Sequence, residues 1–242
     1  MKVHLPSIGI GVGVIVAVIV AVSLFGHGMP NPMASSTEQQ GTTPDQAVSQ
    51  NSLSAKDTLS LLIDNTSPVL GSDNAPITMI EFGDYQCFFC NKFYHTIEPD
   101  VVKNYIDTGK VRMVFKDFVI IGQDSVNAAH AAHCAQEQNK FWQYHDTLYN
   151  NWNGENTGWA SSANLLKFAK DVGLNDTQFS QCMAQSKYIS MVQGSLSDAK
   201  GLGLTGTPDF FVIAPDKTIT KIEGAQPFTV FDELFKSKLK SS

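Results

Sequence analysis

The chain has 242 residues, of which 43% are hydrophobic and 17% are charged, and this composition excludes a wholly disordered protein. Its formal net charge is −6, which gives no indication of a basic surface, so we expect no nucleic-acid partner. The length allows one domain or two small ones.

The first feature along the chain is an apolar run at residues 8–25, in which Ser23 is the only polar residue. As a helix this run would be roughly 27 Å long, about the thickness of a bilayer core. A signal-peptide apolar region is usually shorter and ends at a small-residue cleavage site, for which residues 32–34 are only a weak candidate. We therefore predict an uncleaved transmembrane anchor at residues 1–26, with a cleaved signal or a buried soluble helix as the alternatives.

Positive charge indicates how this anchor is oriented. Lys2 precedes the apolar run, and no Lys or Arg follows it until Lys56, so the rest of the chain should lie outside the cytoplasm. Disulfides persist in such compartments, which are commonly oxidising. Residues 27–57 contain prolines among Ser, Thr, Gln and Asn, which predicts a flexible linker that holds the next domain off the membrane.

The remaining residues, 58–242, are predicted to form one α/β domain. Runs of β-branched and aromatic residues predict strands at 77–82, 111–118, 209–214 and 218–223. The expected helices are a short one at 58–63, one from Cys87 to about Asp107 with a kink at Pro99, a helical stretch from 125 to about 201 with breaks at 150–158 and Gly173, and a closing helix at 228–239. The first two strands should pair in parallel, and the last two should form a hairpin.

The sharpest local signal is the sequence Cys87-Phe88-Phe89-Cys90, where the first predicted strand leads into a helix. Unpaired N–H groups at a helix N-terminus favour an anion, so the pKa of Cys87 should fall below the ~8.5 of a free thiol. Cys90 lies one turn further along, and the two cysteines can form and reopen a small disulfide. The spacing favours a redox pair, while half of a zinc site and a purely structural bridge stay open as alternatives.

A second signal is the sequence Gly206-Thr207-Pro208 before an aromatic strand. Proline lacks a backbone N–H and is expected at a strand start, and this interpretation predicts a trans bond. The functional interpretation is a cis Thr207–Pro208 bond that faces the cysteine pair. Because few X-Pro bonds are cis, the residues alone give it little support.

Several motifs in this order resemble the DsbA-like thiol–disulfide oxidoreductases, which have a thioredoxin fold with an inserted helical subdomain. The matching segments are residues 77–90 (ITMIEFGDYQCFFC), 105–118, 131–135, 140–146, 206–208 and 210–212. Together they cover about residues 68–239. The resemblance implies a thioredoxin-like α/β fold whose helical insertion occupies about residues 122–201.

The resemblance also implies roles for individual residues. Cys87 matches the exposed nucleophile of the family, and Cys90 matches its buried partner. Thr207 and Pro208 match the cis-proline loop that contacts the substrate backbone. Glu81 matches a buried acid that could relay protons to Cys90, although a carboxylate in water is the alternative, since Glu is seldom fully buried.

The chain departs from the family pattern at three positions. Phe88 and Phe89 stand where Pro or His is common, so no His stabilises the thiolate and the redox potential stays open. The two Phe side chains could instead form an apolar surface that binds unfolded clients. Asp209 follows Pro208 where an uncharged residue is common, and its charge would oppose the thiolate if it pointed inward.

Cys134 and Cys182 fall in the predicted insertion, and similar family members carry a pair at matching places. The resemblance therefore implies a structural disulfide, which would contribute about 4 kcal/mol by closing a loop of about 49 residues. Two free thiols or a second redox relay are the alternatives. His130, His133 and His145 could suggest copper or zinc, but we prefer to interpret them as packing residues and predict no metal.

Together these features predict a membrane-anchored enzyme on the periplasmic or extracellular side, which exchanges a Cys87–Cys90 disulfide with client protein thiols. We expect a disulfide-forming oxidase that needs no bound cofactor, because the electrons travel in the cysteines. The resemblance implies a membrane redox partner, quinone-linked, that restores the disulfide. A reductase or isomerase, a copper chaperone that uses the same cysteines, and a tethered structural module are the alternatives.

Overall fold

The computed structural model of the protein describes residues 53–240. Four strands form the central sheet in the order β2-β1-β3-β4, with bounds β1 Ile77–Gly83, β2 Val111–Asp117, β3 Asp209–Ile213 and β4 Ile219–Glu223. β1 runs parallel to β2 and antiparallel to β3, and β3 pairs antiparallel with β4. The predicted parallel unit and the predicted hairpin are both confirmed.

Helices cover both faces of the sheet, which explains why β1 and β2 are almost wholly buried. Because successive side chains of a strand point to opposite faces, Ile77 and Met79 pack in one core cluster with Phe93. Ile80 and Phe82 point to the opposite face of the sheet and pack in a different cluster. Glu81 therefore lies on the face of the sheet that the helix after β1 covers.

The helix that follows β1 is interrupted close to the predicted kink. α2 spans Phe88–Thr96 and α3 spans Glu98–Val101, and a π-helical turn follows at Val102–Ile106. The break falls at Ile97, two residues before Pro99, because a proline fits the first turn of a helix and so belongs to the start of α3.

Five helices between β2 and β3 form the insertion: α4 Gln123–Gln136, α5 Phe141–Asn150, α6 Ser162–Asp171, α7 Asp176–Ala184 and α8 Ile189–Gly201. The predicted breaks at 150–158 and Gly173 separate α5 from α6 and α6 from α7, whereas those at 137–140 and 185–188 were not predicted. A disulfide joins Cys134 of α4 to Cys182 of α7, with an S–S distance of 2.05 Å. The chain closes with α9, Phe228–Lys240.

The first helix begins earlier than the sequence suggested. α1 spans Ala55–Ile63, and the side chain of Ser54 caps it by accepting a hydrogen bond from the N–H of Asp57. The last three residues assigned to the linker are therefore helical. The predicted anchor at 1–26 and residues 27–52 of the linker lie outside the described residues. No helix within residues 53–240 is long and apolar enough to cross a bilayer.

Candidate active site

Cys87 occupies the N-cap position of α2. The N–H groups of Phe89 and Cys90 form hydrogen bonds to its sulfur, because the first amides of a helix have no partner within the helix. The Cys87 thiol also lies 3.3 Å from the carbonyl oxygen of Thr207, to which it donates. Cys87 thus lies where the start of α2 meets the loop before β3.

The surroundings of Cys87 lower the pKa of its thiol to about 6. The largest cause is the hydrogen bond from the Cys90 side chain, which stabilises the thiolate. Burial opposes the shift, while the Thr207 side chain and the two backbone N–H groups lower the pKa further. The Cys87 thiolate is therefore the main form at neutral pH.

Cys90 has the opposite character. It is fully buried, and its pKa is raised well above the ordinary value, first by burial and then by the hydrogen bond and the charge of Cys87 and by the charge of Glu81. Both cysteines are free thiols in this structure. In the reduced pair, one sulfur is readily ionised and the other retains its proton.

The access of solvent to Cys87 is smaller than the resemblance implied. Only 6% of Cys87 is exposed, because its sulfur faces Cys90 and the Thr207 carbonyl. The description of Cys87 as an exposed residue was therefore wrong, although Cys87 is still more accessible than Cys90. Phe88 and Phe89 beside it are 50% and 56% exposed, so the surroundings of the sulfur are open and apolar.

The loop opposite the cysteines contains a cis peptide bond between Thr207 and Pro208. Although 120 residues separate Thr207 from Cys87 in sequence, the structure brings them into contact. The next residue, Asp209, forms an ion pair with Lys221 of β4 at 3.1 Å. The charge of Asp209 is thus paired across the β3–β4 hairpin.

Glu81 is 1% exposed, so the alternative of a carboxylate in water was wrong. Its pKa is raised well above the ordinary value, first by burial and then by the charges of Glu98 and Cys87. Its Oε2 atom is buried without a hydrogen-bond partner. The Glu81 carboxyl group consequently holds a proton more readily than a glutamate in water does.

The histidines of the insertion serve packing and hydrogen bonding. His145 is fully buried, its Nδ1 atom lies 3.0 Å from the Tyr85 hydroxyl, and burial lowers its pKa to about 3. His133 pairs with Asp117 at 2.7 Å. His130 and the two cysteine sulfurs of the insertion lie within 4.8 Å of one another, but a disulfide joins the sulfurs, so neither is a thiolate ligand for a metal.

Sequence reasoning missed a loop of the insertion that is fastened to the start of α2. Glu155 accepts a hydrogen bond from the N–H of Phe88 at 3.1 Å, Trp152 donates its indole N–H to the Gln86 carbonyl at 2.8 Å, and the N–H of Asn156 donates to the Gln86 side chain at 2.7 Å. No local pattern marks these residues, because each pairing depends on the packing of the insertion against the thioredoxin-like part.

Comparison with known proteins, like the geometry of the cysteine pair, indicates thiol–disulfide exchange. Residues 64–223 match the family model described as thioredoxin. The chain is 30% identical over 152 residues to a probable disulfide bond formation protein D of Bacillus anthracis, which covers 61% of this chain and 70% of that protein. It is 28% identical over 170 residues to disulfide bond formation protein D of Bacillus subtilis, which covers 69% of this chain and 73% of that protein.

Two solved structures are also similar to this chain. The crystal structure of oxidised BdbD from Bacillus subtilis has a TM-score of 0.65 and 26% sequence identity, and the match covers 72% of this chain and 92% of that one. The crystal structure of α-DsbA1 from Wolbachia pipientis has a TM-score of 0.64 and 26% identity, and the match covers 72% of this chain and 90% of that one.

Proposed function

This chain belongs to the DsbA-like thiol–disulfide oxidoreductases, and from that membership we propose that it works outside the cytoplasm as a disulfide-forming oxidase. One observation carries the proposal: the pKa of Cys87 is about 6, well below that of a free thiol. A stabilised thiolate favours the reduced protein, which makes the Cys87–Cys90 disulfide a stronger oxidant.

The proposed reaction consists of two exchange steps. A client thiolate attacks the sulfur of Cys87, the S–S bond breaks, and its electron pair leaves on Cys90. A second client thiolate then attacks the client sulfur of the mixed disulfide and releases Cys87 as a thiolate. The client gains a disulfide, and the enzyme takes up two electrons as its reduced pair. Cys87 is the better leaving group in the second step because its pKa is low.

The surroundings of the cysteine pair support roles for five further residues. We assign the Thr207–Pro208 loop to binding the client backbone, because Thr207 already contacts the sulfur that the client attacks. Phe88 and Phe89 present exposed aromatic surface beside it, which suits apolar segments of unfolded proteins. We assign Glu81 to proton transfer with Cys90, because it is buried and acts on Cys90 electrostatically.

A second protein is needed to restore the disulfide after each turnover. We assign this step to a membrane redox partner, in keeping with the anchor predicted at residues 1–26 and with the family resemblance. The same predicted anchor supports the location of the catalytic domain outside the cytoplasm. Client proteins with paired free thiols are the substrates in this scheme.

The redox potential of the Cys87–Cys90 pair tests the direction of the reaction. The Cys87 pKa lies between those of thioredoxin, about 7, and DsbA, about 3.5. We therefore expect a potential between about −270 mV and about −120 mV, the values for the same two proteins. Equilibration with glutathione, read by mass spectrometry, gives this value while it reports the state of Cys134 and Cys182. A potential at or below that of thioredoxin would contradict the oxidase proposal and favour a reductase.

A further inference from the structure

Glu98 at the start of α3 provides a second buried carboxyl group, whose charge acts on Glu81. Only 5% of Glu98 is exposed, and its Oε2 atom, like that of Glu81, is buried without a hydrogen-bond partner. The two carboxyl groups act on each other electrostatically, and Asp146 of α5 adds a further acidic group next to Glu98. Because buried like charges repel strongly, this pair retains at least one proton at neutral pH.

A surface cavity of about 440 Å³ opens beside Glu98. Its wall is formed by residues of α2, α3, the π-helical turn and α5, among them Tyr94, His95, Glu98, Lys103, Asp107 and Asp146. Cys87, Phe88 and Thr207 do not belong to this wall. The cavity is therefore a second approach to the buried acids, separate from the surface assigned to the client.

We propose that Glu98 is the outer member of a proton path that leads from this cavity through Glu81 to Cys90. The inference rests on the proposed function and deepens it, because it identifies where the proton of the exchange reaction enters and leaves. In the proposed function a bound client would cover the surroundings of Cys87, whereas the cavity beside Glu98 does not include those residues and would stay open to solvent.

This path supplies the proton that the first exchange step requires. When the client thiolate bonds to Cys87, the electron pair of the broken S–S bond leaves Cys90 as a buried thiolate. Glu81 gives its proton to that sulfur, Glu98 gives its own to Glu81, and water in the cavity reprotonates Glu98. Reoxidation of the pair moves the proton in the opposite direction.

The directions in which the pKa values of Cys90, Glu81 and Glu98 are shifted agree with proton transfer from Glu98 through Glu81 to Cys90. Burial and neighbouring charges raise the pKa of Cys90 well above its ordinary value, so its thiolate takes up a proton readily. Burial and the charge of Asp146 raise the pKa of Glu98 to about 8, so this carboxyl is protonated at neutral pH and can donate. The titratable groups that interact with the two carboxyl groups, Glu81 and Glu98, are Cys87, Cys90, Tyr85, Tyr94, Tyr149 and Asp146. The cavity wall adds His95, Lys103 and Asp107.

Glu98→Gln in the full chain tests the path. We expect reduction of the Cys87–Cys90 disulfide by dithiothreitol, followed by stopped-flow tryptophan fluorescence, to slow by about tenfold or more, because positioned general acids contribute at least that much. The solvent deuterium isotope effect and the pH profile between pH 5 and 9 should change with it. Glu81→Gln should behave alike, the double variant should be no slower than either, and Glu98→Asp should restore part of the rate.

Asp107→Asn is the matched control, because Asp107 lines the same cavity but is exposed and lies outside the path. An unchanged pH profile and isotope effect in Glu98→Gln would overturn the proposal. If that variant does not fold, infrared difference spectra of the wild-type protein decide: reduction should perturb protonated-carboxyl bands, and unperturbed bands would overturn it. A wild-type protein that exchanges no disulfide with clients would instead contradict the proposed function.

Discussion

Glu155 places a carboxylate oxygen 3.1 Å from the backbone nitrogen of Phe88, one residue beyond Cys87. The Cys87 thiolate depends on the amides of the same helix N-terminus. Two anions therefore compete for the partial positive charge of one helix end. We therefore expect this loop of the insertion to limit how far the pKa of Cys87 falls.

Replacing Glu155 with Gln should relieve this competition. We expect the pKa of Cys87 to fall by about 0.2–0.7 units, since a charge at an exposed helix end contributes about 0.3–1 kcal/mol and one unit equals about 1.4 kcal/mol. The disulfide should become correspondingly more oxidising. Thiolate absorbance against pH measures the change, and Glu233→Gln on α9 is the control. A pKa that stays constant or rises would contradict this role.

Replacing Cys90 with Ala should raise the pKa of Cys87 from about 6 towards the ~8.5 of a free thiol, because the Cys90 hydrogen bond is the largest cause of the lowered value. The alkylation rate of Cys87 by iodoacetamide, followed against pH by mass spectrometry, reports the midpoint. In the reduced wild-type protein we expect Cys87 to react with a midpoint near pH 6 and Cys90 to react far more slowly. Equal reactivity of the two would be inconsistent with the structure.

Phe88→Ser should weaken the binding of an unfolded client about fivefold, because the half-exposed ring loses roughly 1 kcal/mol of apolar burial. Reduction by a small dithiol should change little, since that reagent needs no apolar surface. Leu59→Ser removes an exposed apolar side chain from α1 and serves as the control. Unchanged client affinity in Phe88→Ser would refute the binding role.

Replacing both Cys134 and Cys182 with Ala should lower the free energy of unfolding by about 4 kcal/mol, the contribution of a loop of this length in the chain-entropy model. Urea unfolding of the oxidised proteins measures the difference. The pKa of Cys87 should stay near 6, because neither cysteine acts on it directly. A variant as stable as the wild type would show that the bridge has no structural role.

The sequence predicted the sheet and the position of the cysteine pair well because both depend on local patterns. Apolar runs mark the buried strands, and C-x-x-C marks the start of α2. The early start of α1 was also readable, since Ser54 and Asp57 have the spacing of a helix cap. Glu98 and Glu155 were not, because their roles depend on side chains packed from distant segments.

The limited exposure of Cys87 was likewise hidden in the sequence. It results from the approach of Thr207, which lies 120 residues away. A family resemblance transfers the identity of a reactive residue, whereas the packing that covers its sulfur belongs to the individual chain. The same distinction applies to Asp209, whose neutralising partner Lys221 comes from the neighbouring strand.

The disulfide between α4 and α7 has a consequence for the maturation of each newly synthesised chain. Four sulfurs can be joined into two bridges in three ways, and only one way leaves the C-x-x-C pair together. A newly made chain must therefore be cross-linked correctly by some outside oxidant or by a finished sister copy before it is complete. The protein is therefore itself a substrate for disulfide formation, the reaction that we propose it catalyses.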